Sequence, residues 1–123
     1  PMQSIYITTP IYYATDKPHV GHAYTTVAAD VLTRYWKRKL GDEQVFFSVG
    51  TDEHGQKVQQ SAINKGLQPQ DFADKAVLVF KELWQKLNIS YDDFIRTTDE
   101  RHIKIVQRAL EILHKRGRLC DKQ

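Results

Sequence analysis

Two histidines, His19 and His22, lie three residues apart in the stretch P-H-V-G-H, which follows a short apolar segment and a loop. At this spacing they share one face of a helix's first turn. A helix N-terminus attracts anions, because its N–H groups are free and its dipole is positive there. Both rings are therefore candidates to donate hydrogen bonds to phosphate oxygens during phosphoryl or adenylyl transfer. Gly21, between them, lets a flat ligand approach the backbone without meeting a Cβ atom.

Two other interpretations of these histidines remain open. Any single histidine at a helix start is commonly an ordinary surface residue. Alternatively, His19 and His22 could share a zinc ion. The only further ligands in view are Asp16 and the distant His54, so we expect no metal site in this chain.

A second polar cluster, G-T-D-E-H-G, follows the next apolar segment and contains Asp52, Glu53 and His54. A carboxylate at Asp52 is suited to pair with an ammonium group or a ribose hydroxyl. The competing interpretation is that Asp52 caps the helix that follows, and Glu53 and His54 share this ambiguity. Tyr12 and Tyr13, in the first loop, are candidates for a pocket wall, although paired tyrosines more often serve packing.

The spacing of apolar residues predicts the elements that position these side chains. Residues 3–9 and 44–50 have the β-branched, apolar character of strands, the second one buried on both faces. Between them Pro18 begins a long helix, capped by Thr15 or Asp16 and stopped by Gly41. The residues predicted to form its inward face are Val20, Ala23, Tyr24, Val27, Ala28, Val31, Leu32, Tyr35 and Trp36.

The rest of the chain continues the alternation of helices and strands. We predict helices over 55–65, 69–87 and 100–116 and a short strand over 94–96, with Thr98 capping the last helix. The residues predicted to face inward from the third helix are Phe72, Ala73, Ala76, Val77, Phe80, Leu83, Trp84 and Leu87, and from the last helix Ile103, Val106, Ala109, Leu110 and Leu113.

This order predicts an α/β fold, in which a parallel sheet is flanked by helices. A strand, a crossover helix and a second strand form a βαβ unit whose strands are parallel neighbours. Both polar loops then leave the same edge of the sheet, which is where open α/β sheets bind ligands.

Length and composition place the chain among single globular domains. It has 123 residues, of which 41% are hydrophobic and 27% charged. No apolar run is long enough for a membrane span and no signal-peptide pattern opens the chain, where Met2 is the expected natural start. Cys120 is the single cysteine, so an internal disulfide is excluded and a cytoplasmic location is expected.

The motifs resemble those of one family, the methionyl-tRNA synthetases. The residues Pro18, His19, Val20, Gly21 and His22 resemble the HIGH signature of class I aminoacyl-tRNA synthetases, with Val20 in the isoleucine position. The stretch T-T-P-I-Y-Y-x-x-D-K-P-H-V-G-H-A-Y-T-T, then G-T-D-E-H-G-Q-K, then L-N-I-S-Y-D-D-F-I-R-T-T, is similar to the amino-terminal part of such a synthetase. Three blocks in the family's order are much more specific than the first one alone.

The resemblance implies a Rossmann-type (HUP-like) catalytic domain that activates methionine with ATP and Mg²⁺ and transfers it to tRNA(Met). It further implies that His19 and His22 stabilise the transferring phosphate and that Gly21 lies under the adenine. Ile11, Tyr13 and Asp52 would bind methionine, with Asp52 pairing with its ammonium group.

The same resemblance indicates a fragment of a longer enzyme. The family's K-M-S-K-S loop and the cysteines of its zinc-bearing insertion have no counterpart here. Residues 1–117 would be the first half of the catalytic domain and residues 118–123 the start of the insertion. With half a sheet, the piece is expected to expose a strand edge and to self-associate, and to have little activity alone.

Two functions of other classes remain as alternatives. One is a small free-standing nucleotidyltransferase, which would need a later basic loop to hold a triphosphate. The other is a non-catalytic RNA-binding module, because residues 96–123 hold 8 basic and 4 acidic side chains, whereas residues 1–95 hold 10 and 11. The interpretation that needs no function is that this basic end is a solvated helix face.

Overall fold

The computed structural model describes residues 4–15 and 17–119. Its elements in chain order are β1 (Ile5–Thr8), β2 (Tyr12–Tyr13), α1 (Val20–Leu40), a short 3₁₀ turn (Asp42–Gln44), β3 (Val45–Asp52), α2 (Gln56–Asn64), α3 (Pro69–Lys86), β4 (Asp93–Arg96) and α4 (Glu100–Lys115). Of the residues with a predicted role, Gln3, Asp16 and Cys120 lie outside this description. Within it, no helix is long and apolar enough to span a bilayer.

The sheet is parallel throughout and is built around β3. β1 pairs with the first half of β3 in the register Ile5 opposite Val45, which confirms the predicted βαβ unit. β2 pairs with the end of the same strand, with Tyr13 opposite Asp52. β4 pairs along the other edge of β3. The predicted α/β fold is therefore confirmed, and β2 is an additional short strand where the sequence predicts a loop.

The main core lies on one face of this sheet. Alternate residues of β1 and β3 pack there against two aromatic residues of α3, and these residues are Ile7, Val45, Phe47, Val49, Phe80 and Trp84. Ala29 and Trp36 of α1 pack against the same cluster. The predicted inward face of α3 is confirmed except at Leu87, which is 39% exposed just beyond the helix.

The opposite face of the sheet is partly open. Tyr6 and Phe46 point away from the core and stack with ring centroids 6.1 Å apart, and they remain 64% and 48% exposed. The prediction that the second strand is buried on both faces is thus wrong at Phe46. No described helix covers this side of the strand's first half.

The helix α1 presents a different face to the sheet from the one its apolar pattern predicts. Its buried residues are Thr26, Asp30 and Thr33, and the predicted inward residues Val20 and Tyr24 are 84% and 79% exposed. The small buried residues allow close approach, and their polar atoms have partners, such as the Tyr12 hydroxyl 3.0 Å from Thr26 Oγ1. The predicted inward face is therefore largely a surface, on which Val27, Val31, Leu32 and Tyr35 are also exposed.

Two predicted caps are wrong. α1 begins at Val20 rather than Pro18 and is capped by His19, not Thr15. α4 is capped by the backbone of Asp99, because Thr98 Oγ1 instead donates to Glu53 Oε2 at 2.6 Å. None of the 16 residues of α4, all in the described part of the chain, is buried, so its predicted inward face is also exposed here.

Candidate active site

The two histidines form a reciprocal cap at the N-terminus of α1. His19 Nδ1 accepts a hydrogen bond from the Gly21 backbone N–H at 3.0 Å, and His22 Nδ1 accepts one from the His19 backbone N–H at 3.0 Å. The two ring centroids are 3.9 Å apart. This arrangement is the histidine counterpart of a capping box, and it explains why P-H-V-G-H begins a helix without a serine, threonine or aspartate.

These hydrogen bonds set the tautomer of both rings. A nitrogen that accepts from a backbone N–H carries no proton, so in the neutral ring the proton lies on Nε2. Burial lowers the pKa of His22, and the neighbouring His19 lowers it further. Near neutral pH, His22 is therefore a neutral Nε2–H donor, directed away from the helix backbone.

Gly21 has a steric role in this arrangement. A Cβ atom built on Gly21 would lie 2.8 Å from His19 Cε1 and 3.0 Å from His19 Nδ1. Real Cβ contacts are longer, so any side chain here would displace the His19 ring. A side chain at residue 21 would thus disturb the cap itself, whether or not a ligand approaches.

A cavity of about 260 Å³ opens beside the two rings. It is lined by Ile11, Tyr12, Tyr13, Thr15, His19 and His22. Tyr12 forms its inner wall, because its ring meets His22 edge-on with centroids 4.5 Å apart and stacks on Phe80 at 5.8 Å. The structure therefore brings together His19, His22, Ile11 and Tyr13, which the sequence placed in one site.

Asp52 lies at the carboxyl end of β3, where β2 pairs with that strand. Its carbonyl accepts from the Ala14 N–H at 2.9 Å, and its Oδ1 accepts weakly from the His54 N–H at 3.4 Å. The residue that caps α2 is Gly55, so the interpretation of Asp52 as the helix N-cap is wrong. Asp52 does not line the 260 Å³ cavity, but it is next to Tyr13 in the strand register.

Gly50 permits the close packing beneath this edge of the sheet. A Cβ atom there would lie 2.3 Å from the Ile95 carbonyl oxygen and 3.2 Å from Ile11 Cγ2. The missing side chain lets β4 and the Ile11 side chain approach β3 from two sides. The Ile11 side chain therefore lies beside Gly50, which is two residues before Asp52 on β3.

A larger groove of about 520 Å³ adjoins the site and shares Thr15 and His19 with it. Its rim carries Lys17, Lys65 and Lys75, and the Lys65 ammonium lies 4.9 Å from the centre of the Phe72 ring. Three lysines therefore add positive charge next to the two histidines.

The buried Glu53 is the residue whose role the sequence analysis left undecided. Its side chain is fully buried and is paired with Arg96, 43 residues later in the chain. Burial raises the pKa of Glu53, but hydrogen bonds from Arg96, Thr51 and Thr98 outweigh burial and hold the pKa below its usual value. Glu53 is thus a buried carboxylate with a structural role, next to Asp52 in the chain. Only its pairing with the distant Arg96 reveals this role.

The described residues contain no group of three or more histidine, cysteine, aspartate or glutamate side chains arranged to hold a metal ion. His54 already forms a hydrogen bond, because its Nε2 lies 3.1 Å from the carbonyl oxygen of Thr97. A carbonyl oxygen only accepts, so the nitrogen is the donor. The alternative zinc ligand Asp16 lies outside the described residues.

The parallel sheet, with paired histidines at the first helix N-terminus, is that of an α/β domain of the class I synthetase kind. The chain belongs to the family described as tRNA synthetases class I (M), whose model matches residues 5–123. The methionine–tRNA ligase of Halalkalibacterium halodurans is 56% identical over 115 residues, which are 94% of this chain and 17% of that protein. That of Helicobacter pylori (strain 26695) is 53% identical over 116 residues, 94% of this chain and 18% of that protein.

Solved structures show the same similarity. Mycobacterium tuberculosis methionyl-tRNA synthetase in complex with methionyl-adenylate superposes with a TM-score of 0.89 at 40% identity, over 94% of this chain and 22% of that one. A leucyl-tRNA synthetase complex from Agrobacterium radiobacter K84 superposes with a TM-score of 0.84 over 95% of this chain and 15% of that one, and at 21% identity it shows the fold alone. The chain therefore spans about a fifth of the length of the methionine–tRNA ligases that it matches.

Proposed function

We propose that this chain supplies the ATP and methionine half of the active site of a methionine–tRNA ligase of the cytoplasm. The observation that carries the proposal is the pair of Nε2–H donors of His19 and His22 at the N-terminus of α1, beside the cavity lined by Ile11 and Tyr13. The similarity to a synthetase solved with methionyl-adenylate supports the same assignment.

In the first step, a carboxylate oxygen of methionine attacks the α-phosphorus of ATP. The bond from that phosphorus to the bridging oxygen breaks, which gives methionyl-adenylate and pyrophosphate. His19 and His22 would donate hydrogen bonds to the phosphate oxygens as negative charge builds on them. Because Nδ1 of each ring is held by a backbone N–H, both donors are oriented before the substrate arrives, and no reorganisation is needed during the step.

The reaction needs no nucleophile from the protein, since the attacking carboxylate belongs to the substrate. The chain's contribution is therefore positioning and charge stabilisation. Gly21 would lie under the adenine. ATP would enter as its Mg²⁺ complex, for which we assign no protein ligand.

Methionine would lie against Ile11 and Tyr13, with its ammonium group paired to Asp52. This assignment is supported by the position of Asp52 at the carboxyl end of β3 and by its backbone contact with Ala14. The Asp52 residue is half-buried and forms no ion pair within the described residues. In the second step, a hydroxyl of the terminal adenosine of tRNA(Met) attacks the activated carbonyl and releases AMP.

The functions of the full enzyme need groups beyond those described here. A lysine loop to hold the pyrophosphate end of ATP, a zinc-bearing insertion and the anticodon-binding helices are expected outside these 123 residues. We therefore expect the chain alone to bind ATP or methionine weakly.

The decisive experiment is amino-acid-dependent ATP–pyrophosphate exchange by the parent polypeptide, meaning the product of the gene read through Gln123. Methionine should support exchange, and leucine, the matched control for the shared fold, should not. The 123-residue chain alone should exchange at a small fraction of the parent's rate. Exchange dependent on another amino acid, or a robust rate from the chain alone, would overturn the respective part of the proposal.

The alternative of an RNA-binding module loses support from the ion pairs of the basic end. Arg101 pairs with Asp93, Lys104 with Glu100 and Arg108 with Glu111. Arg96 is paired with Glu53 in the interior. Much of the positive charge predicted to face nucleic acid is therefore balanced within the chain.

A further inference from the structure

We propose that Arg96 is a positioning residue for the amino-acid end of the site, and that it acts on Asp52 through Glu53. This inference rests on the proposed function, because it assigns the methionine ammonium group to Asp52. It adds the β4–α4 junction, residues 96–99, to the parts of the chain that determine affinity for the amino acid.

The contact between Arg96 and Glu53 is bidentate. Arg96 Nε donates to Glu53 Oε1 at 2.7 Å and Arg96 Nη2 donates to Glu53 Oε2 at 2.8 Å. The same Nη2 also donates to Asp74 Oδ1 of α3. A guanidinium in this fork geometry sets both the distance and the orientation of a carboxylate, which a lysine ammonium cannot do.

The carboxylate of Glu53 is held from every side. Thr51 Oγ1 donates to Oε1 at 2.7 Å and Thr98 Oγ1 donates to Oε2 at 2.6 Å, in addition to the two bonds from Arg96. The side chain has no exposed surface. A buried carboxylate with four donors has one position, so the backbone that carries it is also held in place.

The junction also holds the backbone on both sides of this side chain. The Glu53 N–H donates to Thr97 Oγ1 at 2.9 Å, and the Thr97 N–H donates to the Thr51 carbonyl at 3.2 Å. The His54 ring donates to the Thr97 carbonyl at 3.1 Å. Residues 51, 53 and 54 are therefore all bonded to the junction.

Asp52 lies within this held segment but takes no part in its hydrogen bonds to the junction. Its carbonyl is bonded on the other side, to Ala14 after β2. The residue is half-buried, and its Oδ1 accepts a long hydrogen bond, 3.4 Å, from the His54 N–H. The junction and β2 thus hold the backbone of residue 52 between them. The Asp52 carboxylate forms no ion pair among the described residues, and it is the group that we assign to the methionine ammonium. A displacement of about 1 Å in such a group can cost 10²-fold in rate.

The test uses the parent polypeptide and compares two neighbouring arginines. Arg96→Lys keeps a charge but loses the fork, so we expect the KM for methionine in ATP–pyrophosphate exchange to rise about 10-fold, with the KM for ATP within about twofold of wild type. Thr98→Val, which removes one donor to Glu53, should give a smaller change of the same kind. Arg101→Lys is the matched control, because Arg101 makes an equally bidentate but exposed pair with Asp93.

The outcomes separate this inference from the function on which it rests. A rise in both KM values together, or the same effect from Arg101→Lys, would overturn the positioning role and leave the proposed function intact. Wild-type parent that shows no methionine-dependent exchange would overturn the proposed function, and the assignment of Arg96 with it. If Arg96→Lys does not fold, as judged by its melting curve, a Thr98→Val variant with unchanged KM for methionine overturns the inference.

Discussion

The backbone N–H of His19 donates to Nδ1 of His22 at 3.0 Å, and the rings of these two residues lie with centroids 3.9 Å apart. The same residues thus begin the helix and present its two Nε2–H donors. Capping and the proposed phosphate binding use the same two rings, so moving either ring would change both. This coupling makes the site sensitive to small substitutions that would be harmless in an ordinary helix.

The pKa of His22 tests the environment of the pair. We expect a value below the ordinary 6.5, because burial disfavours the imidazolium and His19 repels it. His19→Asn keeps a good capping side chain but removes the second ring, so the pKa of His22 should rise and remain below 6.5. An NMR titration of the ring Cε1–H signals measures both values. A His22 pKa at or above the ordinary value in the wild-type chain would contradict the geometry.

The same shift has a consequence for folding. Since the folded state lowers the pKa of His22, the unfolded chain binds a proton more readily below pH 6.5. This contribution to stability is complete above that pH and declines as the pH falls below it. In urea unfolding experiments, the free energy of unfolding should decrease less for His22→Ala than for the wild type between about pH 7 and pH 5.

Gly21→Ala should damage the site more than it damages the helix. Alanine is favourable in a helix interior, but its Cβ would meet the His19 ring. We expect the exchange rate of the parent to fall by at least about 10-fold through the displaced donor. The melting temperature should fall only slightly, because the higher helix propensity of alanine partly offsets the weakened cap. Unaltered exchange in a folded variant would show that the His19 ring does not need this position.

Acid should destabilise the chain through its hydrogen-bonded carboxylates. Burial raises the pKa values of Glu53 and Asp30, but hydrogen bonds from Arg96 and Ser90 among others outweigh it and lower both. Groups with lowered pKa stabilise the fold above their unfolded values, 4.5 for Glu53 and 3.8 for Asp30, and this stability is lost as the pH falls through the folded values. The free energy of unfolding, from urea curves, should therefore fall steeply below about pH 4.5. Glu53→Gln should be less stable than the wild type at pH 7, and its free energy of unfolding should decrease less on acidification.

Self-association of the 123-residue chain is expected from the uncovered part of the sheet. A lysine on an edge strand discourages edge-to-edge pairing, so Tyr6→Lys on β1 should shift the chain toward monomer in sedimentation velocity runs. Tyr35→Lys on the exposed face of α1 is the control, since both tyrosines are about half or more exposed. Wild-type chain that remains a monodisperse monomer at high concentration contradicts this expectation.

The sequence was sufficient for the elements that carry a local signal. The strands and the crossover helix of the βαβ unit, and the buried face of α3, each follow from patterns of residues within one or two turns of each other. The position of Asp52 beside the first loop followed from strand order, because parallel strands bring their carboxyl ends to one edge.

The orientation of α1 could not be predicted from its own residues. Periodicity identifies the apolar face of a helix but not which neighbour covers it. The buried Asp30 is satisfied by Ser90, 60 residues away, at 2.6 and 2.7 Å. The role of Glu53 likewise depends on Arg96, which is 43 residues away. The roles of Asp30 and Glu53 both depend on such long-range contacts, which no local sequence pattern reveals.

The proposed function depends most directly on the two Nε2–H donors, and one measurement tests them. Methionine-dependent ATP–pyrophosphate exchange should be compared for the parent and its His19→Ala, His22→Ala and His114→Ala variants, the last histidine being exposed on α4. We predict that each of the first two lowers the activation rate by about 10²-fold or more, while His114→Ala retains the parental rate. Near-normal exchange in folded His19→Ala and His22→Ala variants would contradict the assignment of this helix N-terminus as the site that stabilises the transferring phosphate.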